Sequence, residues 1–138
     1  MTAATRNEGA TPSSSPKWML WTGWVLTALP LLALIASGSM KLSHAAPIVE
    51  QIVNKFGFQE SALTGIGLLE LACAAVYAIP QTSVLGAVLV TAYLGGAVVT
   101  HVRVGDPGFV TPVILGIFAW GGLYLRDERV RALLPLRR

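Results

Sequence analysis

One carboxylate constrains this sequence more than any other residue. Glu70 is the only charged side chain between Ser61 and Ile79, a run of 19 residues that is otherwise apolar or small. About 20 residues of α-helix cross a bilayer core, so this run is long enough to span a membrane. Because an ionisable group at that depth is costly, it usually faces a bundle interior, a polar partner or a water-filled cavity. Glu70 therefore predicts a membrane helix with a polar site.

Composition supports a membrane protein. Of the 138 residues, 54% are hydrophobic and only 12% are charged, whereas soluble domains contain about 25% charged residues. The apolar excess is concentrated in four segments, which are Trp18 to Ser37, Ser61 to Ile79, Ser83 to Thr100 and Phe109 to Leu125. The first three have the length that a span requires, and the fourth is marginal.

We therefore predict an all-α membrane protein in which four transmembrane helices form an up-down bundle. The spans are expected at about residues 18–40, 61–79, 82–102 and 109–126, within one transmembrane domain of residues 18–126. Residues 1–17 are rich in Ser, Thr, Pro, Gly and Ala and are predicted to be a disordered tail. Residues 127–138 form a basic tail. A cleaved signal peptide is the weaker alternative for the first segment, whose apolar run is too long for a typical signal.

The distribution of positive charge predicts the orientation, because loops rich in Lys and Arg stay in the cytoplasm. One side would carry seven basic residues, namely Arg6, Lys17, Arg126, Arg129, Arg131, Arg137 and Arg138. The other side would carry three, namely Lys41, Lys55 and Arg103. Both termini are therefore expected in the cytoplasm. The basic C-terminus follows a span, where Lys and Arg residues keep a segment in the cytoplasm and attract anionic lipids. We therefore reject nucleic-acid binding.

The first outer loop has helical periodicity of its own. Between Pro47 and Phe56, apolar residues recur at helical spacing, and Glu50, Gln51, Asn54 and Lys55 occupy the other face. Pro47 suits the first turn of a helix, and Gly57 suits its C-terminal cap. This pattern predicts a short amphipathic helix that lies in the outer interface or covers the bundle.

Glu70 is predicted to lie on a packed helix surface. At 3.6 residues per turn it shares one face with Leu63, Gly67, Ala74 and Tyr77. Small residues on such a face allow membrane helices to approach closely. The short link Pro80–Thr82 makes the second and third spans antiparallel neighbours, so Glu70 is expected beside the third span.

The third span presents a polar surface at its outer half. Two adjacent stripes are predicted, one with Ala92, Gly96, Thr100 and Arg103 and the other with Tyr93, Ala97 and His101. Lys41, at the end of the first span, is a competing partner for Glu70. Because helix rise places Glu70 about 13 Å below the outer end of its span, we favour a polar partner from the third span over Lys41. The candidate polar cluster thus comprises Glu70, Tyr93, Thr100, His101, Arg103 and Lys41.

These residues resemble the DoxX-like family of small bacterial membrane proteins. The similarity covers roughly Trp24 to Arg126 and depends on three motifs: Ser37-Gly38 followed by Lys41-Leu42, then Gly67-Leu68-Leu69-Glu70-Leu71, and Tyr93 to Ala97 continuing into Thr100 to Arg103. The resemblance implies a four-span bundle in the cytoplasmic membrane. It also implies a link to quinone-dependent oxidoreductases or to thiol and oxidative-stress systems.

Two functional hypotheses follow. In the first, the protein is an accessory subunit of a quinone- or thiol-linked redox system. Its polar cluster would accept a quinone headgroup or another small amphipathic molecule, and Glu70 with a nearby imidazole would carry protons. A partner oxidoreductase or a bound cofactor would supply the electrons, so we expect no catalysis by the chain alone. In the second, Glu70 only fixes helix packing, and the protein is a structural or assembly component.

Other functions receive less support from the residues. Cys73 is the single cysteine, so it cannot form an internal disulfide or a CxxC pair, and we interpret it as a packing residue. His44 and His101 are the only histidines, which falls short of a metal-ligand pattern. A small transporter or channel is the third class considered, although a homo-oligomer could still form a pore.

Overall fold

The computed structural model describes residues 15–133. Most of the predicted N-terminal tail and the end of the predicted C-terminal tail lie outside these residues. Six helices follow one another: α1 (Lys17–Leu42), α2 (Ala46–Val49, continued by a π-helical segment Glu50–Lys55), α3 (Ala62–Ala78), α4 (Ser83–Arg103), α5 (Val110–Arg126, preceded by a 3₁₀ turn Pro107–Phe109) and α6 (Glu128–Leu133). The described part of the chain contains no strand.

Three of these helices are long and apolar enough to cross a membrane. They are Lys17–Leu42, Ser83–Arg103 and the 20 residues of Pro107–Arg126, in which the 3₁₀ turn adds to α5. Helix α3 is also apolar, but it has only 17 residues. The sequence suggested that the last segment is the marginal span. In the structure the marginal helix is α3. The extended backbone of Ile79 ends α3, because a residue before proline avoids the helical conformation.

The four long helices pack in a closed cycle. Helix α1 contacts α3 and α5, and α4 contacts the same two helices. Their shared core includes Leu34, Val90 and Leu123, and all three are buried. Tyr77 is fully buried there and donates a hydrogen bond of 2.9 Å to the carbonyl of Ala119, which satisfies its hydroxyl and joins α3 to α5.

The loop between α1 and α3 contains the helix that its periodicity predicts. We call residues 46–56 the connecting helix. Pro47 lies in its first turn, and Gly57 follows it with φ of 77°, a left-handed conformation that favours glycine. Ile52 and Phe56 on its apolar face are buried with Leu63 of α3. The predicted amphipathic helix is therefore confirmed, although its second half has π-helical geometry.

The opposite end of the molecule is closed by α6. Val130 is buried against the core, and Arg131 donates a hydrogen bond of 2.7 Å to the carbonyl of Leu125. The Arg126 guanidinium lies 4.5 Å above the Trp24 ring. Three exposed tryptophans mark this end of α1, namely Trp18, Trp21 and Trp24.

Candidate functional site

The face of α3 that carries Glu70 is the packed face. Leu63, Gly67, Ala74 and Tyr77 are all buried together with Glu70, as the helical period predicts. Cys73 is buried on the same side and is a free thiol. A carboxylate in such a position requires polar partners, because an unpaired buried charge is strongly unfavourable.

The partners of Glu70 come from α1. The Lys41 ammonium lies 2.7 Å from Glu70 Oε2, and the Ser37 hydroxyl donates to the same oxygen at 3.3 Å. Lys41 also donates to Ser37, so the three side chains form a closed group. Only 6% of Lys41 and 2% of Glu70 are exposed. We call Ser37, Lys41 and Glu70 the inner cluster. The preference for a partner from the third span over a direct ion pair with Lys41 was therefore wrong.

Helix packing explains why Lys41 reaches so far. A Cβ at Gly67 would lie 3.0 Å from the Gly38 carbonyl oxygen and 3.0 Å from Lys41 Cβ, so the two backbones nearly touch. Side chains lean toward the N-terminus of their own helix. Because α1 and α3 run antiparallel, Lys41 leans inward and Glu70 leans outward, and the two charges converge. The estimate from helix rise alone omitted this lean.

The inner cluster borders a cavity of about 800 Å³. Ligand sites in proteins typically enclose about 300–1,000 Å³ and combine apolar walls with a few polar groups. Here Leu34, Ile66 and Leu115 contribute apolar wall, whereas Lys41 and Glu70 contribute charge. An ammonium group has three N–H donors, and Ser37 and Glu70 accept two of them. The third can serve a ligand acceptor.

Tyr93, Thr100 and His101 also line this cavity, as do Lys55 and Asp106. A second polar group lies at the cavity's loop end, around Asp106. Lys55 approaches Asp106 Oδ2 at 3.0 Å, and His101 Nδ1 lies 2.8 Å from the same oxygen. The Gly108 amide donates to Asp106 Oδ1 at 3.0 Å. These three contacts, led by the Gly108 amide, lower the pKa of Asp106 to about 2. We call Lys55, His101 and Asp106 the outer cluster.

The outer cluster holds the connecting helix against the end of α4. Lys55 supplies the ion pair, and the Arg103 guanidinium donates to the carbonyl of Phe56. The Phe56 and His101 rings meet edge to face, with centroids 4.7 Å apart. Arg103 itself is exposed and does not line the cavity. Two of the predicted site residues, His101 and Arg103, therefore lie at the loop end of the cavity. They are separate from the Lys41–Glu70 pair.

The sequence predicted that the stripe of α4 with Gly96 and Thr100 packs against Glu70. The structure does not show this packing. Thr100 donates a hydrogen bond of 2.8 Å to the Gly96 carbonyl of its own helix. A Cβ at Gly96 would meet no atom within 4 Å, so no helix packs closely there. The close contact at Gly67 is made by α1 instead. Gly96 and Thr100 thus border the cavity, whereas Tyr93 borders it and also packs against the core.

Ser37, Lys55 and Asp106 were missed as site residues. Ser37 had a usable signal, since it lies four residues before Lys41 and hence on the same helix face. Lys55 and Asp106 belong to different connections, and nothing in their local sequence shows that they meet. Among residues 15–133, no group of three or more His, Cys, Asp or Glu side chains is placed to hold a metal ion.

The apolar helices and the buried ion pair in a cavity define a helical membrane protein. The chain belongs to the DoxX-like family, whose model matches residues 25–122, and the predicted resemblance is confirmed. No curated protein and no solved structure matches it.

Proposed function

We propose that this chain is a four-span protein of the bacterial cytoplasmic membrane that binds a small amphipathic ligand, such as a quinone headgroup, in its cavity. In this role it serves as an accessory subunit of a quinone- or thiol-linked redox system. The observation that carries the proposal is the Lys41–Glu70 pair, which is buried and yet borders a cavity of about 800 Å³. At this position the polar atoms of the pair lie within reach of a molecule that enters the cavity.

Helix α3 is the proposed fourth span. Its 17 residues reach the lower limit of about 17 to 25 residues for a transmembrane helix. The excess of Lys and Arg next to the first and last spans supports a cytoplasmic location for that end of the bundle. The cavity then faces the outer half of the bilayer. Single cysteines at Ser43 and Glu128 in a Cys73→Ala chain test this orientation, because only Ser43→Cys should react with an impermeant thiol reagent in intact cells.

The chemistry of the inner cluster suits a ligand with a carbonyl or hydroxyl group. The free donor of Lys41 would bind a carbonyl oxygen, and Glu70 would accept a hydrogen bond from a hydroxyl. A carboxylate in this position can also accept a proton when a ligand changes its redox state. A partner subunit or its cofactor would supply the electrons.

Titration of decylubiquinone into the purified protein in micelles tests the proposal. We expect saturable chemical-shift changes for the side chains of Tyr93 and His101, which line the cavity. The Trp24 indole should not respond, because it lies beside Arg126 at the other end. Shifts that fail to saturate, or that are equal at both ends, would refute a quinone site.

A structural role is the second candidate, because the inner cluster joins α1 to α3. Comparison of Glu70→Gln with Glu70→Ala in cells that depend on the protein separates the two roles. If both variants fold and Glu70→Gln loses the cellular phenotype, the structural account fails. If Glu70→Gln keeps both fold and phenotype, proton transfer by Glu70 is refuted.

A further inference from the structure

The contact between α3 and α4 differs at its two ends. At the end near their short connection, a Cβ on Gly86 would lie 2.2 Å from Tyr77 Cα, so the backbones are in direct contact. Only glycine permits that approach, since any side chain would overlap backbone atoms. This end of the helix pair is sealed.

Toward the other end, the same two helices separate. Gly96 has no atom within 4 Å of its Cβ position, and both Gly96 and Ala92 are exposed. On α3, Leu69 is 56% exposed. All three residues also line the cavity. A residue that is exposed on the helix surface and also borders the cavity lies at its opening. We call Leu69, Ala92 and Gly96 the rim.

The connecting helix covers part of the loop end of the cavity. Ile52 and Phe56 of the connecting helix are buried over Leu63, and Lys55 pairs with Asp106 at 3.0 Å. The Arg103 contact to the Phe56 carbonyl adds a third attachment. Lys55, Phe58 and Thr111 also border the cavity and are exposed, so the cavity has an opening at this end as well. Only the rim opens it on the apolar surface between α3 and α4.

We infer that the cavity is entered sideways from the bilayer, through the gap between α3 and α4 at the rim. This inference rests on the proposed function and adds the class of ligand, a molecule dissolved in the membrane that brings a small polar headgroup and an apolar tail. The rim is made of one leucine and two small residues without charge, which suits passage of an apolar chain. The headgroup meets Lys41 and Glu70 inside, and the tail extends toward lipid.

A photoreactive fatty acid tests the route without any assumption about quinones. The full-length protein is placed in bilayers with a fatty acid that carries a diazirine on the chain carbons next to its carboxyl group, and adducts are located by mass spectrometry after illumination. We expect adducts at Glu70 and Tyr93 of the wild-type chain, because both border the cavity. Lipid-facing Val99, which is 67% exposed, provides the reference adduct.

Two neighbouring glycines supply a matched pair of variants. A Cβ at Gly95 or at Gly96 meets no atom within 4 Å, so leucine fits at both positions, but only Gly96 lines the cavity. Gly96→Leu should abolish the adducts at Glu70 and Tyr93 and keep the adduct at Val99. Gly95→Leu should leave all three unchanged. If Gly96→Leu does not fold, Ala92→Leu obstructs the same rim.

The aqueous route is tested by Asp106→Asn, which weakens the attachment of the connecting helix. The inference predicts that this variant labels Glu70 as the wild type does. Absence of Glu70 adducts in the wild type would overturn it, as would adducts that persist when the rim is obstructed or that increase mainly in Asp106→Asn. If the protein is labelled through the rim but binds no quinone, the lateral route is supported and the quinone ligand is refuted. Failure of this inference can therefore be distinguished from failure of the proposed function.

Discussion

The inner and outer clusters are both built around a carboxylate, but they differ in what satisfies it. Glu70 relies on two side chains of α1, and its ion pair is buried on both sides, with 8% and 3% of the side chains exposed. Asp106 is held partly by the Gly108 backbone amide, and its partner Lys55 is 52% exposed. Water can replace the exposed Lys55, whereas loss of Lys41 would leave the buried Glu70 carboxylate with the Ser37 hydroxyl as its donor from α1. Both clusters border the cavity, but disruption of the inner pair has the higher cost, and we propose the inner pair as the ligand site.

The largest effect is expected from Glu70→Ala, which leaves the Lys41 ammonium buried without its partner. Breaking a buried ion pair in this way costs about 3–5 kcal/mol. The free energy of unfolding in micelles, from denaturant titration, provides the measurement. Glu60→Ala is the control, because the Glu60 side chain is 62% exposed and its removal should cost about 0.5 kcal/mol or less. Equal costs for the two variants would contradict a distinct inner cluster.

The inner cluster depends on the close approach of α1 and α3, and the outer cluster does not. Gly67→Val should therefore destabilise the protein by about 1–3 kcal/mol, the usual cost of overpacking, because its Cβ position is 3.0 Å from the Gly38 carbonyl oxygen. Gly65→Val is matched to it, since a Cβ at Gly65 would meet no atom of another helix within 4 Å. Unfolding of both variants under the same conditions checks this, and equal destabilisation would refute the helix contact.

Ser37→Ala tests the bridge between the two charges of the inner cluster. We expect a loss of about 1 kcal/mol in the free energy of unfolding, the typical value of one hydrogen bond. Ser43→Ala serves as the control, because Ser43 is exposed and donates only to the nearby Met40 carbonyl. If both serines prove equally dispensable, Ser37 has no role in the cluster.

Lys55→Gln should have a small effect, because exposed ion pairs contribute about 0–1 kcal/mol. That contribution should decline as salt screens it, whereas the cost of Glu70→Ala should change little with salt. Denaturant titrations at low and high ionic strength compare the two. A salt-independent loss larger than that of Ser37→Ala would show that the outer cluster is more than an exposed attachment.

The last prediction concerns pH. The folded protein lowers the pKa of Asp106 to about 2, below the value of about 3.9 in an unfolded chain. The stability that this carboxylate contributes is therefore complete above about pH 4 and is lost as the pH falls toward 2. The difference in stability between wild type and Asp106→Asn should be constant from neutral pH down to this range and then decline. A difference that changes near neutral pH would contradict this assignment.

Hydropathy and helical period accounted for much of the fold. The apolar segments, the connecting helix and the buried face of Glu70 all follow from spacing within one helix, which a sequence shows directly. The partner of Glu70 depends on how far one helix is displaced along another. That displacement is determined by contacts such as Gly38 against Gly67, which no periodicity contains.

The outer cluster shows the same limit. Lys55 and Asp106 are far apart in the chain and lie on connections whose paths depend on the packed helices. His101 and Arg103 could be placed at the end of α4 from their spacing. Their partners, Asp106 and the Phe56 carbonyl, could not be predicted, because the loop after α4 and the connecting helix take positions that depend on the packed helices.

The central claim is that the inner cluster binds a ligand as well as holding α1 to α3. Titration of decylubiquinone into wild type, Glu70→Gln and Lys55→Gln, with Tyr93 chemical shifts as the readout, tests it most directly. The account predicts saturable binding to the wild type, a marked loss of affinity in Glu70→Gln and a smaller loss in Lys55→Gln. Equal affinity in wild type and folded Glu70→Gln would contradict it.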